Sequence, residues 1–179
     1  MKIAVIGVGN ILFMDEGVGV YASRMLEANY RFEPDIEIID GGTLGFKLMD
    51  YFEAYDKVVI LDTVSIDDAP GSVYNLPADA LMGLGDYRQT VHEVEVVGML
   101  EVCSMLDKMA EVNIVGIIPQ DIQSVEINLT DTLKKAFPGL MEQAIRVLAD
   151  AGITVTPGCS QSNIDEIIAG YNDPARRLC

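Results

Sequence analysis

Gly7-Val8-Gly9-Asn10-Ile11-Leu12-Phe13-Met14-Asp15-Glu16-Gly17-Val18-Gly19 joins the apolar run Lys2 to Val8 to a segment in which Val18, Tyr21, Ala22, Met25 and Leu26 recur at helical spacing. A short β-branched run, a glycine turn and an amphipathic helix make the first βα unit of an α/β sheet. Such turns often hold phosphate, because backbone N–H groups and the positive end of the helix dipole converge there. Two features of this one oppose a phosphate. The third glycine of a G-x-G-x-x-G fingerprint falls on Leu12. Asp15 and Glu16 stand where the helix begins, so a pyrophosphate meets like charge at close range. A cation suits this loop better than an anion.

Outward from the loop, strands and helices alternate. Ile36 to Ile39 reads as a strand ending in Asp40-Gly41-Gly42-Thr43, Leu44 to Phe52 as a helix, and Lys57 to Leu61 as a β-branched strand followed by Asp62. Ser72 to Leu76 lies between Pro70-Gly71 and Pro77, which implies a strand reached by a tight turn and therefore an antiparallel neighbour. Thr90-Val91-His92-Glu93 has capping-box spacing and opens a helix whose apolar face is Val96, Met99, Leu100, Cys103 and Leu106. Val112 to Ile118 is a further strand, stopped by Pro119. Leu133, Ala136 and Phe137 form a helical stretch that Pro138-Gly139 is expected to break; Leu140, Ala144, Val147 and Leu148 then resume it up to Gly152. The expected architecture is α/β: a single three-layer domain over residues 1–155, with a twisted, mostly parallel sheet and one antiparallel strand between helices. Residues 156–179 are more polar and read as a C-terminal tail, with room for a short docked helix around Ile164 to Ala169.

Composition narrows the classes of function. The 179 residues suit one domain. With 28 acidic and 12 basic side chains the net charge is −16, so the basic footprint of a nucleic-acid binder is missing. No apolar run approaches the roughly 18 residues of a membrane span. The first residues enter a strand without a signal-peptide pattern. The expectation is a cytoplasmic protein with no membrane insertion. Cys103, Cys159 and Cys179 are odd in number and lack C-x-x-C spacing, which favours reduced thiols over a disulfide framework or thiolate zinc site.

Three residues from three elements are candidates for a metal. Glu16 follows the first strand, Asp62 the third, and His92, the single histidine, opens a later helix. In open parallel sheets ligands bind beyond the carboxyl ends of the strands, the edge to which both acids belong. Two carboxylates and one imidazole suit Zn²⁺ or Ni²⁺ and leave coordination positions open. Each residue also has a purely structural reading. Asp15 and Glu16 can complement the helix dipole, Asp62 can cap a turn with Thr63, and a lone histidine at a helix start can be a surface residue. No Ser-His-Asp or Cys-His set is evident, and a single histidine excludes His-Glu-x-x-His chemistry.

Gly9-Asn10-Ile11-Leu12-Phe13-Met14-Asp15-Glu16-Gly17-Val18-Gly19 resembles the G-N-x-L-x-x-D-[DE]-G-x-G signature of the nickel–iron hydrogenase maturation endopeptidases. Asp40-Gly41-Gly42-Thr43-Leu44-Gly45 is similar to that family's D-G-G-T-x-G segment. Val59-Ile60-Leu61-Asp62 matches its third-strand aspartate, His92 stands where its metal histidine is expected, and Gly116-Ile117-Ile118-Pro119-Gln120 resembles its later strand and turn. The likeness runs from Met1 to about Gly152. It implies an α/β endopeptidase that removes the C-terminal extension of a hydrogenase large-subunit precursor once nickel is in place. It further implies that Glu16, Asp62 and His92 contact that nickel and act through it in catalysis, and that Asp40, Gly41, Gly42 and Thr43 recognise the substrate. The nickel would arrive with the precursor; zinc or another divalent ion could occupy the same ligands. After Pro119 the chain departs from the family pattern, with Val125 in place of a glycine, so no role is carried onto residues 122–130. Two other classes of function are a non-enzymatic metal sensor or maturation chaperone, and a nucleotide-dependent oxidoreductase built on the Gly7-x-Gly9 turn.

Overall fold

The computed structural model describes residues 1–77, 110–159 and 161–173. Five strands form one sheet in the order β3 (Glu37–Gly42), β1 (Ile3–Val8), β4 (Lys57–Thr63), β6 (Glu111–Ile117), β5 (Val73–Pro77). The first four run parallel, and β5 runs antiparallel to β6. The antiparallel strand anticipated at Ser72 to Leu76 therefore exists, paired not with β4 before it but with the later β6. Every residue of β1 and β4 is buried, the pattern of strands covered on both faces.

The strand alternation sorts two hydrophobic layers. Ile3, Val5, Val59, Leu61, Val115 and Ile117 face α1 (Val18–Asn29) and a long helix, α3 (Asp131–Asp150). Ala4, Ile6, Val8, Val58, Ile60 and Ile114 pack with Leu48 and Phe52 around α2 (Met49–Ala54). A period of two along each strand thus separates the two sides of the sheet. The helix expected to begin at Thr90 lies outside the described residues.

Helix α3 corrects the expected break. It runs without interruption from Asp131 to Asp150 with Pro138 inside it. The stripe Leu133, Phe137, Leu140, Met141, Ala144, Val147, Leu148 is buried from end to end, while Pro138 and Gly139 lie on the solvent face. Proline removes one i→i−4 bond, but the Lys134 carbonyl it leaves bare is on the side where water can serve. Continuous burial outweighs the local cost. The helix ends as the sequence implies: Gly152, at φ 86°, donates to the Ala149 carbonyl and Ile153 to that of Leu148, at 2.9 and 3.0 Å.

A second, two-stranded sheet pairs β2 (Tyr30–Glu33) antiparallel with β7 (Thr154–Pro157). Neither strand was anticipated. After β7 comes α4 (Ile164–Asn172), opened by a capping box in which Asn163 accepts from Glu166 N and the Glu166 carboxylate accepts from Asn163 N. Ile167 and Ile168 are buried against the layer that contains α1. The helix proposed near Ile164 to Ala169 is thus present, docked, and slightly longer. Among the described residues no helix is long and apolar enough to cross a membrane.

Candidate functional site

The glycines of the first loop bring the start of α1 down onto the sheet. A Cβ on Gly7 would lie 2.2 Å from the Gly19 carbonyl oxygen, and one on Gly19 would lie 2.0 Å from that of Leu61 and 2.3 Å from that of Val8. Gly9 sits at φ 138°, and its missing Cβ would fall 1.9 Å from the Glu16 carbonyl oxygen. At each of these positions the protein's own backbone stands where a side chain would begin. Only glycine permits this approach at Gly9, where both the positive φ and the contact forbid a side chain.

Between the glycines, residues Met14–Gly17 form a 3-10 turn before α1 begins. The two adjacent acids of this turn have different surroundings. Asp15 is fully buried, and its side chain does not cap the helix. Its Oδ2 accepts from Gln120 N, Asp121 N and Thr130 Oγ1, each at 3.0 Å, and its Oδ1 accepts from Thr130 N at 2.7 Å. A carboxylate can accept about four such bonds, so Asp15 is saturated. Backbone bonds extend the latch: Asp15 N donates to Asp121 O, Met14 N to Glu126 O and Glu126 N to Leu12 O, at 3.0, 3.1 and 3.0 Å. Met14 is held at φ 47°, the one positive-φ residue other than glycine among the described residues. Such strain persists where the surroundings over-determine it, and Asp15 supplies that constraint. This role was not legible beforehand, because three of the four donors are backbone N–H groups.

Glu16 is partly exposed, beside its buried neighbour. Asp62 is 3 % exposed near the carboxyl end of β4, where its Oδ1 accepts from Thr63 N at 2.7 Å. Both residues belong to β4, so this is a contact between successive strand residues. The turn carrying Glu16 packs against β4, so both acids belong to the carboxyl edge of adjacent strands. His92 lies outside the described residues. Among the described residues no three histidine, cysteine or acidic side chains cluster as a metal site.

Asp40, Gly41 and Gly42 end β3 on the same edge, and Thr43 follows them in a turn. Gly42, at φ 40°, donates to Asp40 Oδ1 at 3.1 Å, and Gly9 N donates to the Gly42 carbonyl at 3.0 Å, so the two glycine loops are joined. The glycines differ in use. A Cβ on Gly41 would lie 2.7 Å from Ile6 Cγ2, so its small size serves packing; one on Gly42 would meet only Asp40 Oδ1, at 3.6 Å. Helix α4 reaches this edge as well. Tyr171 packs edge-to-face on Tyr21 and directs its hydroxyl to Asp40 Oδ2 at 3.4 Å, while Asn172 Nδ2 donates to the Ile127 carbonyl at 3.0 Å. Burial, and then the Asp40 charge, raise the Tyr171 phenol well above its ordinary pKa, so it stays a neutral donor.

Comparison with known proteins agrees with this architecture. The model of the hydrogenase maturation protease family matches residues 20–147. The hydrogenase 2 maturation protease of Escherichia coli K12 is 33 % identical over 162 residues, covering 88 % of this chain and 96 % of that protein. The hydrogenase expression/formation protein HupD of Rhizobium leguminosarum bv. viciae is 30 % identical over 160 residues, covering 87 % and 78 %. Among solved structures, a hydrogenase maturating endopeptidase from E. coli superposes with a TM-score of 0.80 at 31 % identity, covering 88 % of this chain and 98 % of that one. A [NiFe] hydrogenase maturation protease from Thermococcus kodakarensis gives 0.67 at 25 % identity, covering 82 % and 99 %.

Proposed function

Since the chain belongs to the hydrogenase maturation protease family, we propose that it removes the C-terminal extension of a nickel–iron hydrogenase large-subunit precursor after nickel insertion, in the cytoplasm. Glu16, Asp62 and His92 are the proposed contacts to the precursor's nickel, and the loop Asp40 to Thr43 the proposed recognition element. The observation that carries this reading is the packing of the Glu16 turn against β4, the strand that carries the buried Asp62. Two carboxylates from neighbouring strand ends, with one imidazole, form an oxygen–nitrogen donor set suited to a borderline divalent ion.

In this mechanism the nickel is part of the substrate, and it would supply Lewis-acid polarisation at the scissile bond. The protein's part is selection and positioning. Glu16 and Asp62 contribute negative charge that favours a precursor still carrying its cation. The glycine turn, closed by Gly19 against Leu61 and Val8, holds Glu16 at the strand ends. In this reading Glu16 or Asp62 would take the proton of an attacking water. A second class of function, nucleotide-dependent oxidation, has less support, because Leu12 stands where the fingerprint needs its third glycine and the turn carries two acids.

Mass spectrometry of nickel-loaded and nickel-free precursor after incubation with the protein tests the proposal. The expected result is loss of a C-terminal peptide from the loaded form alone. Processing of both forms would overturn nickel selection, and processing of neither would overturn the proteolytic reading. His92→Ala is expected to abolish processing, and a fully active variant would remove His92 from the proposed ligand set.

A further inference from the structure

Four large apolar residues are exposed among the described ones: Met1, Leu12, Leu44 and Val125, at 69, 49, 40 and 76 %. Three of them share the carboxyl edge of the sheet. Leu12 lies in the first loop, Leu44 follows the Asp40 to Thr43 loop, and Val125 lies in the segment latched by Asp15. Backbone bonds hold their loops in register. Glu126 N donates to Leu12 O at 3.0 Å, placing Val125 beside Leu12. Gly9 N donates to Gly42 O at 3.0 Å and Leu44 N to Gly41 O at 2.8 Å, which joins the Leu44 loop to the same body. Exposure of Leu12 and Val125 is therefore fixed by bonded backbone next to the Glu16 turn.

The charges around these residues are mostly acidic. Residues 8–17, 40–45 and 119–130 carry Glu16, Asp40, Asp121 and Glu126 besides the buried Asp15, against one basic neighbour, Lys47, whose backbone N–H donates to the Leu44 carbonyl. Asp40 and Glu126 are exposed. An apolar centre with an acidic surround selects a partner face of the complementary kind.

Resting on the proteolytic reading, we propose that Leu12, Val125 and Leu44 are the apolar contacts of a docking surface for the folded body of the large-subunit precursor, whose matching face is apolar and flanked by basic side chains. The occupant follows from position: the surface is continuous with the edge that carries Glu16 and Asp62, so a precursor engaged at those residues would cover it. A few apolar anchors with a charged rim are enough to set affinity at such a surface.

The test uses Leu12→Ser and Val125→Ser, singly and together, with Asp150→Ser at the far end of α3 as a control. Calorimetry with nickel-free precursor is expected to show the double variant binding about tenfold more weakly, and KM for nickel-loaded precursor to rise by a similar factor, with kcat and melting temperature unchanged. Added salt is expected to weaken binding of the wild type and the double variant alike, because the acidic rim is retained. Affinity within about twofold of wild type in the double variant, or a loss in kcat without a change in KM, overturns the proposal. So does a wild type that fails to bind the precursor. A wild type that binds the precursor and leaves its mass unchanged defeats the proteolytic reading, while the Leu12 and Val125 variants still report on docking through the calorimetry.

Discussion

Helix α1 is fastened at each end by one buried polar residue, and the two fastenings differ in kind. At its start the Asp15 carboxylate accepts four bonds, all from residues 120–130. At its end Asn29 treats a peptide unit as a strand would: its amide accepts from Ser162 N at 2.8 Å and donates to Ser162 O at 2.7 Å. The Asn29 carbonyl also accepts from Gly158 N and Gln161 Nε2, at 2.6 and 3.0 Å. The amide is self-sufficient, since donor and acceptor match one partner. The carboxylate is not, since among the described residues it relies on N–H and O–H dipoles that converge on it from another segment. The dependent arrangement borders the Glu16 turn and the self-sufficient one holds the C-terminal segment, so damage at the two ends should register differently.

The largest effect is expected for Asp15→Asn. The amide keeps the shape but turns an NH₂ toward N–H donors, leaving several buried groups unsatisfied. A loss of about 3 kcal/mol is expected in urea unfolding. Precursor processing should fall roughly 100-fold even where the variant is fully folded, because the Glu16 turn shifts. Near-normal processing would show that the latch serves stability alone and would erase the contrast. Asn29→Ala should cost about 2 kcal/mol in the same unfolding experiment. Well below its melting temperature it should process precursor within about threefold of wild type. An Asn29 variant as inactive as Asp15→Asn would mean that both fastenings serve the site.

The smallest effect concerns acid. Asp121, in the latched segment, accepts from Ser124 Oγ at 2.6 Å, Ser124 N at 3.0 Å and Gln123 N at 2.9 Å. The Ser124 hydroxyl, followed by the two backbone N–H groups, holds its carboxyl below the usual carboxylate range. The folded value is the lower one, so this local stabilisation is complete above the ordinary aspartate value of about 3.9 and is lost as pH falls through the folded value. Ser124→Ala removes the largest cause, so loosening of the turn should begin at a higher pH. The measurement is NMR titration of the Asp121 carboxyl with the Gln123 amide as reporter. The Asn29 end should not respond over that range. An unchanged titration would assign the turn's order to its backbone bonds.

Much of the fold was legible because its signals are local. The apolar runs of β1, β4 and β6, the periodicity of α1 and the Gly152 stop each declare themselves within a few residues. The turn at Pro70-Gly71 signalled β5 but not its partner, which lies beyond the intervening residues. The ribbon of β2 and β7 was missed because four-residue strands joined by no turn leave no local trace. Pro138-Gly139 misled because a breaker was weighed alone, without the stripe from Leu133 to Leu148 that overrides it. At the site, residue types indicated an acidic, cation-favouring edge. They could not separate Asp15 from Glu16, because the difference lies in which of them meets backbone donors from residues 120–130. Gly41 and Gly42 look equivalent in sequence, yet one is spent on Ile6 and the other on a positive φ.

The pairing of the Asn29 amide with Ser162 spans 133 residues, and β2 follows Asn29 directly. On the ribosome, at about 5–20 residues per second, the end of α1 and the β2 edge wait on the order of ten seconds for their partners. Throughout that interval the nascent chain presents an open strand edge and an unpaired amide. Closure of the ribbon is thus a late event in synthesis, and a chain that reaches it has already made the strands and loops of the site.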